Sequence, residues 1–325
     1  MFEFNIGKND AGQRLDKFLT KAMPAMPMPM IYRLIRQKKI KLNRKRAEIS
    51  SMLAEGDTVL VFAPPHFAEK EKEAPKLTVT ADPDIVYEDE NIMLVNKPSG
   101  LLVHDGDAKE AGKITLVRMI QDYLIRKGEY EPAKENSFAP ALANRIDRNT
   151  CGIVLAAKNA AALRELEDIF RDRKINKKYL CVVHGVPKKS VFFLEHYLLK
   201  DEKTKNVRVY GENHPSAAKY AKTGCRVLSF GKNYSLIEAE LFTGRTHQIR
   251  AQLAHAGHPL LGDGKYGINK GDRSLGYSSQ ALCSYYVRFE NNEDGFLGYL
   301  KGKEFSLDPN TVDFVKDYNS RLKNI

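Results

Sequence analysis

Apolar residues recur at helical spacing near the start of the chain. Leu15, Phe18 and Leu19 stand at i, i+3 and i+4 in "RLDKFLTKAM" and predict a short amphipathic helix. "IYRLIRQ" repeats the pattern, with Ile31, Leu34 and Ile35 inward and Arg33, Arg36 and Gln37 outward. Between them "MPAMPMPM" holds three prolines, expected to loosen the connection between the helices. The period then shortens to two. "KIKLN" alternates as a short strand, and "EGDTVLVF" supplies a turn and a closing strand.

Further on, Ile92 to Val95 reads as a buried strand and "NKPSG" as a turn. "GIVLAAK" (152–158) and "YLCVVHG" (179–185) are further strands, the latter starting at Tyr179. Between them "NAAALRELEDIFRD" is a helix that Asn159 caps, with Leu163, Leu166, Ile169 and Phe170 as its apolar stripe. "SLIEAEL" alternates again. "THQIRAQLAHAGHP" predicts a helix capped by Thr246, packed through Ile249, Leu253 and Ala256, and stopped by Gly257 and Pro259. Helices and strands mix without a regular βαβ rhythm, so the expected fold is α+β, a largely antiparallel or mixed sheet flanked by helices.

"APPHFAEKEKEAPK" interrupts both periods with prolines and alternating charges and reads as a linker. The expected division is a small module at 1–63, a linker at 64–83 and a body at 84–325. At 325 residues, 42% hydrophobic and 29% charged, the chain is an ordinary globular one. No run approaches the length of a membrane span, and "MFEFNIGKND" has no leader pattern. Cys151, Cys181, Cys225 and Cys283 are too scattered for a zinc site or a disulfide framework and read as reduced thiols of a cytoplasmic protein.

Charge changes the picture of the small module. Lysines and arginines outnumber acids 52 to 41, which favours a polyanionic partner. Eight of the cations, Arg33, Arg36, Lys38, Lys39, Lys41, Arg44, Lys45 and Arg46, fall in one stretch without an acid. A charge run is usually a solvated face, but this density in so small a module points to phosphate-backbone contact.

Three stretches of the body carry candidate chemistry. In "NRIDRNTCG" Asp147 precedes a strand, and Arg145 and Arg148 favour its charged form. It is either a structural ion pair or a catalytic carboxylate. "TGRTHQIRAQLAHAGHPLLGDGKYG" concentrates arginines and histidines, with His247 and Arg250 one helical step apart. The histidines lack zinc-ligand spacing, so an arginine-lined anion site that includes Arg245 is the better reading and no metal is expected. In "INKKYLCVVHG" Tyr179 follows two lysines and is either packing or a surface on which a base stacks.

The small module resembles the alpha-L RNA-binding domain named after a small-subunit ribosomal protein, through "RLDKFL", "LIRQKKIKLN" and "EGDTVLVF". Nearly the whole chain resembles the RluA-type family of ribosomal RNA pseudouridine synthases. The matching stretches, in order, are "NIMLVNKPSGLLVH", "NRIDRNTCG", "KKYLCVVHG" and "GRTHQIRAQLAHAGHPLLGDGKYG". Asn144 and Cys283 depart from it where the family often has histidine.

The resemblance implies isomerisation of uridine to pseudouridine in RNA, most naturally large-subunit (23S) rRNA, without a cofactor. Asp147 would be the catalytic aspartate, Arg250 its partner and Tyr179 the active-site aromatic. Arg145 would help the base leave the stack, and Arg148, Arg245 and His247 would bind substrate. The alternatives are the same chemistry on tRNA, and a non-catalytic RNA-binding or ribosome-assembly protein.

Overall fold

The computed structural model describes residues 1–67, 79–104, 112–267 and 269–325. Most of the stretch read as a linker lies outside them.

The N-terminal part contains β1 (Phe2–Asn5), α1 (Leu15–Ala22), α2 (Met28–Arg36), β2 (Ile40–Leu42), β3 (Lys45–Arg46) and β4 (Thr58–Val61). The four strands form a small sheet in the order β1-β4-β2-β3. Leu15, Phe18 and Leu19 of α1 are fully buried, and Ile31, Leu34 and Ile35 of α2 join them against Ile40, Val59 and Val61. Both helices therefore bury the predicted stripes. The prolines do not loosen the connection. Pro27 caps α2 and Pro29 lies in its first turn, where a missing N–H costs nothing. Met23 and Met26 are buried in the core on either side of the bend.

The body opens with β5 (Ile85–Glu88), β6 (Ile92–Lys97), α3 (Leu116–Lys127), β7 (Ala141–Leu142), β8 (Cys151–Ala157) and α4 (Ala160–Arg171). It continues with β9 (Ile175–His184), β10 (Val191–Lys200), β11 (Val207–Tyr210), β12 (Lys219–Phe230) and β13 (Tyr234–Leu241). The last elements are α5 (Gln248–His255), α6 (Asn269–Ser274), β14 (Leu282–Phe289), β15 (Glu304–Ser306) and α7 (Asp313–Ser320). One large sheet runs β11-β10-β12-β13-β9-β14-β8-β6-β5, with β15 added to β14 and β7 to β8. Its pairs are antiparallel except β14 with β8, so the α+β reading with a largely antiparallel sheet holds.

Helices cover both faces, which explains why β6 and β8 are apolar runs. Ile92, Leu94, Ile153 and Leu155 face Leu166 and Ile169 of α4. The alternate residues Met93, Val95, Val154 and Ala156 face Leu116, Ile120 and Leu124 of α3. Farther along, Cys181, Ile237 and Ala239 pack on Ile249 and Leu253 of α5, whereas Leu180, Val182 and Leu236 pack on Val315 and Tyr318 of α7. Ile146 touches both the α3 and the α5 clusters. Its neighbour Asp147 is thereby set at their junction. Asn159 caps α4 as expected, its Oδ1 accepting from Ala162 N at 2.9 Å.

The small module sits on the body. The buried carboxylate of Asp10 accepts from Asn136 Nδ2 at 2.7 Å and Ser137 Oγ at 2.6 Å. Asn9 Oδ1 accepts from Ala160 N, in the first turn of α4, at 3.0 Å.

Candidate active site

The loop before β8 is stitched to the turn that follows β6. Lys97, wholly buried at the end of that apolar strand, donates to the carbonyls of Pro98, Leu101 and Arg148 at 2.8, 3.0 and 2.7 Å. Burial drops its pKa to about 8, with the Cys151 and Asp147 charges working in the other direction. Ser99 Oγ donates to Asn149 O at 2.9 Å, and Arg148 Nε donates to Gly100 O at 3.0 Å. Asn144 Oδ1 accepts from Leu155 N at 2.8 Å, tying the other end of the loop to β8. Gly152 has φ +106, and a Cβ there would stand 2.2 Å from the Ser284 carbonyl oxygen of β14. Only glycine fits.

The cation that touches Asp147 is Arg250, not its flanking arginines. Arg250 Nη1 donates to Asp147 Oδ2 at 2.6 Å, and the rest of the fork grips Asp263 through Nε at 2.8 Å and Nη2 at 2.9 Å. Burial alone would raise the pKa of Asp263. Arg250 and the N–H groups of Lys265 and Tyr266 outweigh it and hold the carboxyl below its ordinary 3.8. The paired aspartates likewise hold Arg250 above its usual value, against the pull of burial. Asp263 is fully enclosed, whereas the Asp147 side chain keeps 28% of its surface open. One arginine thus joins a structural carboxylate to one that faces the cleft.

α5 does not begin as predicted. Thr246 is not its cap: the chain turns left-handed at His247, φ 50, which occupies the cap position. The Gln248 side chain does the local work instead. Its Oε1 accepts from Arg245 N at 3.0 Å and Thr243 Oγ1 at 2.8 Å. Ala256 is exposed, not packed. The turn brings His247 Nε2 to 3.9 Å from Asp147 Oδ2 and Nδ1 to 2.8 Å from Tyr266 Oη. Tyr266 Oη already accepts from Val207 N at 2.9 Å, leaving its proton for Nδ1 and the Nε2 proton facing Asp147. Burial lowers the His247 pKa despite Asp147 and so favours the neutral ring.

Asp147, His247 and Arg250 line a cavity of about 1460 Å³ that also takes in Tyr179, Arg145, Arg148 and Arg245. That exceeds the usual small-molecule pocket and suits a polymer segment. Tyr179 lies in the middle of β9, not at its start, because the polar residues 176–178 still pair with β14. Burial pushes its phenol up to about 12. Arg145 is exposed on the wall, and Arg245 Nε donates to Tyr220 O at 3.1 Å. His255 and His258 stay apart from this cluster, one against the His196 ring and the other on the His184 carbonyl.

Sequence reasoning brought Asp147, Tyr179, Arg250, His247, Arg145, Arg148 and Arg245 to one place, but missed Lys97, Asp263 and Tyr266. A lysine ending an apolar strand, and the acid of "GDGKYG", were the available signals.

The family model described as RNA pseudouridylate synthase matches residues 91–255, which span every residue just named except Asp263 and Tyr266. The chain belongs to that family. It is an RNA pseudouridine synthase by family, and an S4 domain model matches residues 13–59. The chain is 35% identical over 296 residues to "Ribosomal large subunit pseudouridine synthase C" of Vibrio parahaemolyticus, covering 88% of each chain. It is also 35% identical over 290 residues to the Escherichia coli K12 protein of the same name, covering 87% of this chain and 85% of that one. The solved structure "Human RNA Pseudouridylate Synthase Domain Containing 1" has the same fold, with a TM-score of 0.57 at 21% identity. It covers 75% of this chain and 90% of its own.

The eight cations of the N-terminal stretch are grouped on the small module. Seven of them are exposed, Lys41 is partly covered by the Phe62 ring, and none pairs with an acid among the described residues. No helix among the described residues is long and apolar enough to cross a membrane.

Proposed function

We propose that this chain converts uridine to pseudouridine in large-subunit ribosomal RNA, the substrate class in the names of its relatives, with Asp147 as the catalytic carboxylate. The observation that carries this is the Asp147–Arg250–Asp263 chain: a cleft-facing carboxylate held by a buried, doubly anchored guanidinium.

The reaction breaks C1′–N1, turns the detached uracil and forms C1′–C5; a proton leaves C5 and N1 gains one. No electrons are exchanged and no group is imported, so the chemistry asks for no cofactor. The target base must first leave its stack. Arg145, exposed at the rim, fills the space it vacates. Tyr179 stacks on the uracil. Asp147 acts either as nucleophile at C1′ or as base toward a glycal; both need an oriented carboxylate, which Arg250 provides. His247, Arg148 and Arg245 contact the sugar–phosphate side of the substrate.

The module at 1–63 supplies sequence-independent affinity through its eight cations, joined by residues 64–83 to a catalytic body at 84–325. The four free thiols suit a reducing, cytoplasmic setting.

The test is incubation with large-subunit rRNA and with bulk tRNA, with and without chelator, mapping both pseudouridine and strand cleavage. Pseudouridine in the rRNA, unaffected by chelator, is expected. Modification of tRNA alone would move the substrate assignment, and binding without modification would refute the catalytic one.

A further inference from the structure

The stretch "INKKYL" carries two lysines, and only one has a counter-charge among the described residues. Lys178 Nζ stands 3.7 Å from Glu238 Oε1 and 5.2 Å from the Tyr286 ring centroid. Lys177 is two residues before Tyr179 on β9 and lines the same cavity as Asp147 and Tyr179, as strand alternation directs. Its ammonium lies 5.1 Å from the Phe170 ring centroid. Among the described residues it makes no hydrogen bond and no ion pair. Burial lowers its pKa to about 8, with no charge opposing the shift. A cation drawn partly out of water, as half-buried Lys177 is, normally has a partner. Here the one partner among the described residues is a ring face. Arg173, exposed on the same wall, also has no acid partner among the described residues.

We infer that Lys177 is the contact for a backbone phosphate flanking the flipped uridine. The inference rests on the functional reading above. The missing counter-charge is what RNA brings into the cleft. Residues two apart on a strand are about 6.6 Å apart, the scale that separates a base from its own phosphate. A base stacked on Tyr179 therefore carries a phosphate to Lys177, while the wall with Arg173 continues the track outward.

The experiment uses a synthetic RNA segment spanning the uridine that the wild type modifies. It is made with phosphates throughout, or with one neutral methylphosphonate on the 5′ or the 3′ side of that uridine. kcat/KM is measured for wild type, Lys177→Gln and Lys177→Arg. One of the two methylphosphonates should lower the wild-type value roughly ten- to hundredfold, the size of a lost charge-assisted contact. The same substitution should cost Lys177→Gln almost nothing more, and Lys177→Arg should keep most of the wild-type activity. Lys177→Gln should melt at or above the wild-type temperature, since an uncompensated charge is gone. Equal methylphosphonate losses in wild type and Lys177→Gln at both positions would overturn the assignment. So would failure of Lys177→Arg to turn over with full stability, which a base but not a phosphate clamp requires. A wild type inert on the all-phosphate RNA overturns the functional reading itself, a separate result from wild-type turnover without coupling.

Discussion

Replacing Arg250 by methionine separates what the arginine does for the fold from what it does for the reaction. Methionine keeps the length of the stem and removes the fork. Among the described residues, Asp263 is then left fully buried with only the N–H groups of Lys265 at 2.9 Å and Tyr266 at 3.2 Å. Asp147 keeps only His247, at 3.9 Å. Stranding one partner of a buried ion pair costs about 3–5 kcal/mol. At roughly 2–4 °C per kcal/mol for a chain of this order of size, melting should fall on the order of 10 °C.

The deficit should depend on pH. The lowered pKa of Asp263 contributes stability that is fully present above its ordinary 3.8 and is lost as pH falls through the folded value. The gap between wild type and Arg250→Met should therefore be widest above about pH 5 and shrink in acid, where the variant's Asp263 takes up a proton. Adding Asp263→Asn to Arg250→Met removes the stranded charge and should return much of the stability. Turnover should stay down by roughly a hundredfold or more, because Asp147 is still unheld. The assays are thermal unfolding across pH and single-turnover pseudouridine formation. Recovery of turnover together with stability in the double variant would refute the reasoning, reducing Arg250 to a counter-ion for Asp263.

Replacing Lys38, Lys39, Arg44 and Arg46 by alanine should weaken RNA binding and flatten its salt dependence, because fewer counterions are released; the single-turnover rate at saturating RNA should hold. Lys97→Met strips the donor from three carbonyls and should cost about 2–4 kcal/mol, lowering kcat with little change in RNA affinity. Because the lysine pKa falls from 10.5 to about 8 in the fold, wild-type stability relative to Lys97→Met should rise between those pH values, where the unfolded chain holds the extra proton. Urea melts at pH 7 and pH 10 measure it.

Local patterns were legible where one element decides them. The stripes of α1 and α2 and the Asn159 cap depend only on spacing within a few residues. The start of α5 was not, because Thr246 has the right chemistry for a cap but the backbone turns left-handed one residue later. Of the three prolines read as breakers, Pro27 and Pro29 open α2 instead, since a first turn needs no N–H. β9 begins at Ile175 although its first residues are polar, because Arg288 and Val287 of β14 pair with them. Asp147, Tyr179 and Arg250 were visible as motifs. Asp263 and Lys97 lay in quoted stretches without showing their roles, because what defines them is burial against partners from other segments. The Lys97 ammonium reaches a carbonyl 51 residues away, and no periodicity encodes that.

The central claim, that Asp147 does the chemistry, is tested most directly by Asp147→Asn on large-subunit rRNA. Pseudouridine yield, RNA affinity and melting temperature are read on the one variant. Asparagine keeps the shape but removes the charge and the nucleophilic oxygen, and no other acid is within reach in "NRIDRNT". Pseudouridine formation should fall at least roughly a thousandfold. Binding should persist or tighten slightly, with one fewer negative charge near the RNA. Melting should shift only modestly, since Arg250 keeps both bonds to Asp263 and Asp147 is partly open to solvent. Near-wild-type pseudouridine formation by a variant that melts many degrees lower would contradict the account, making Asp147 a structural ion pair.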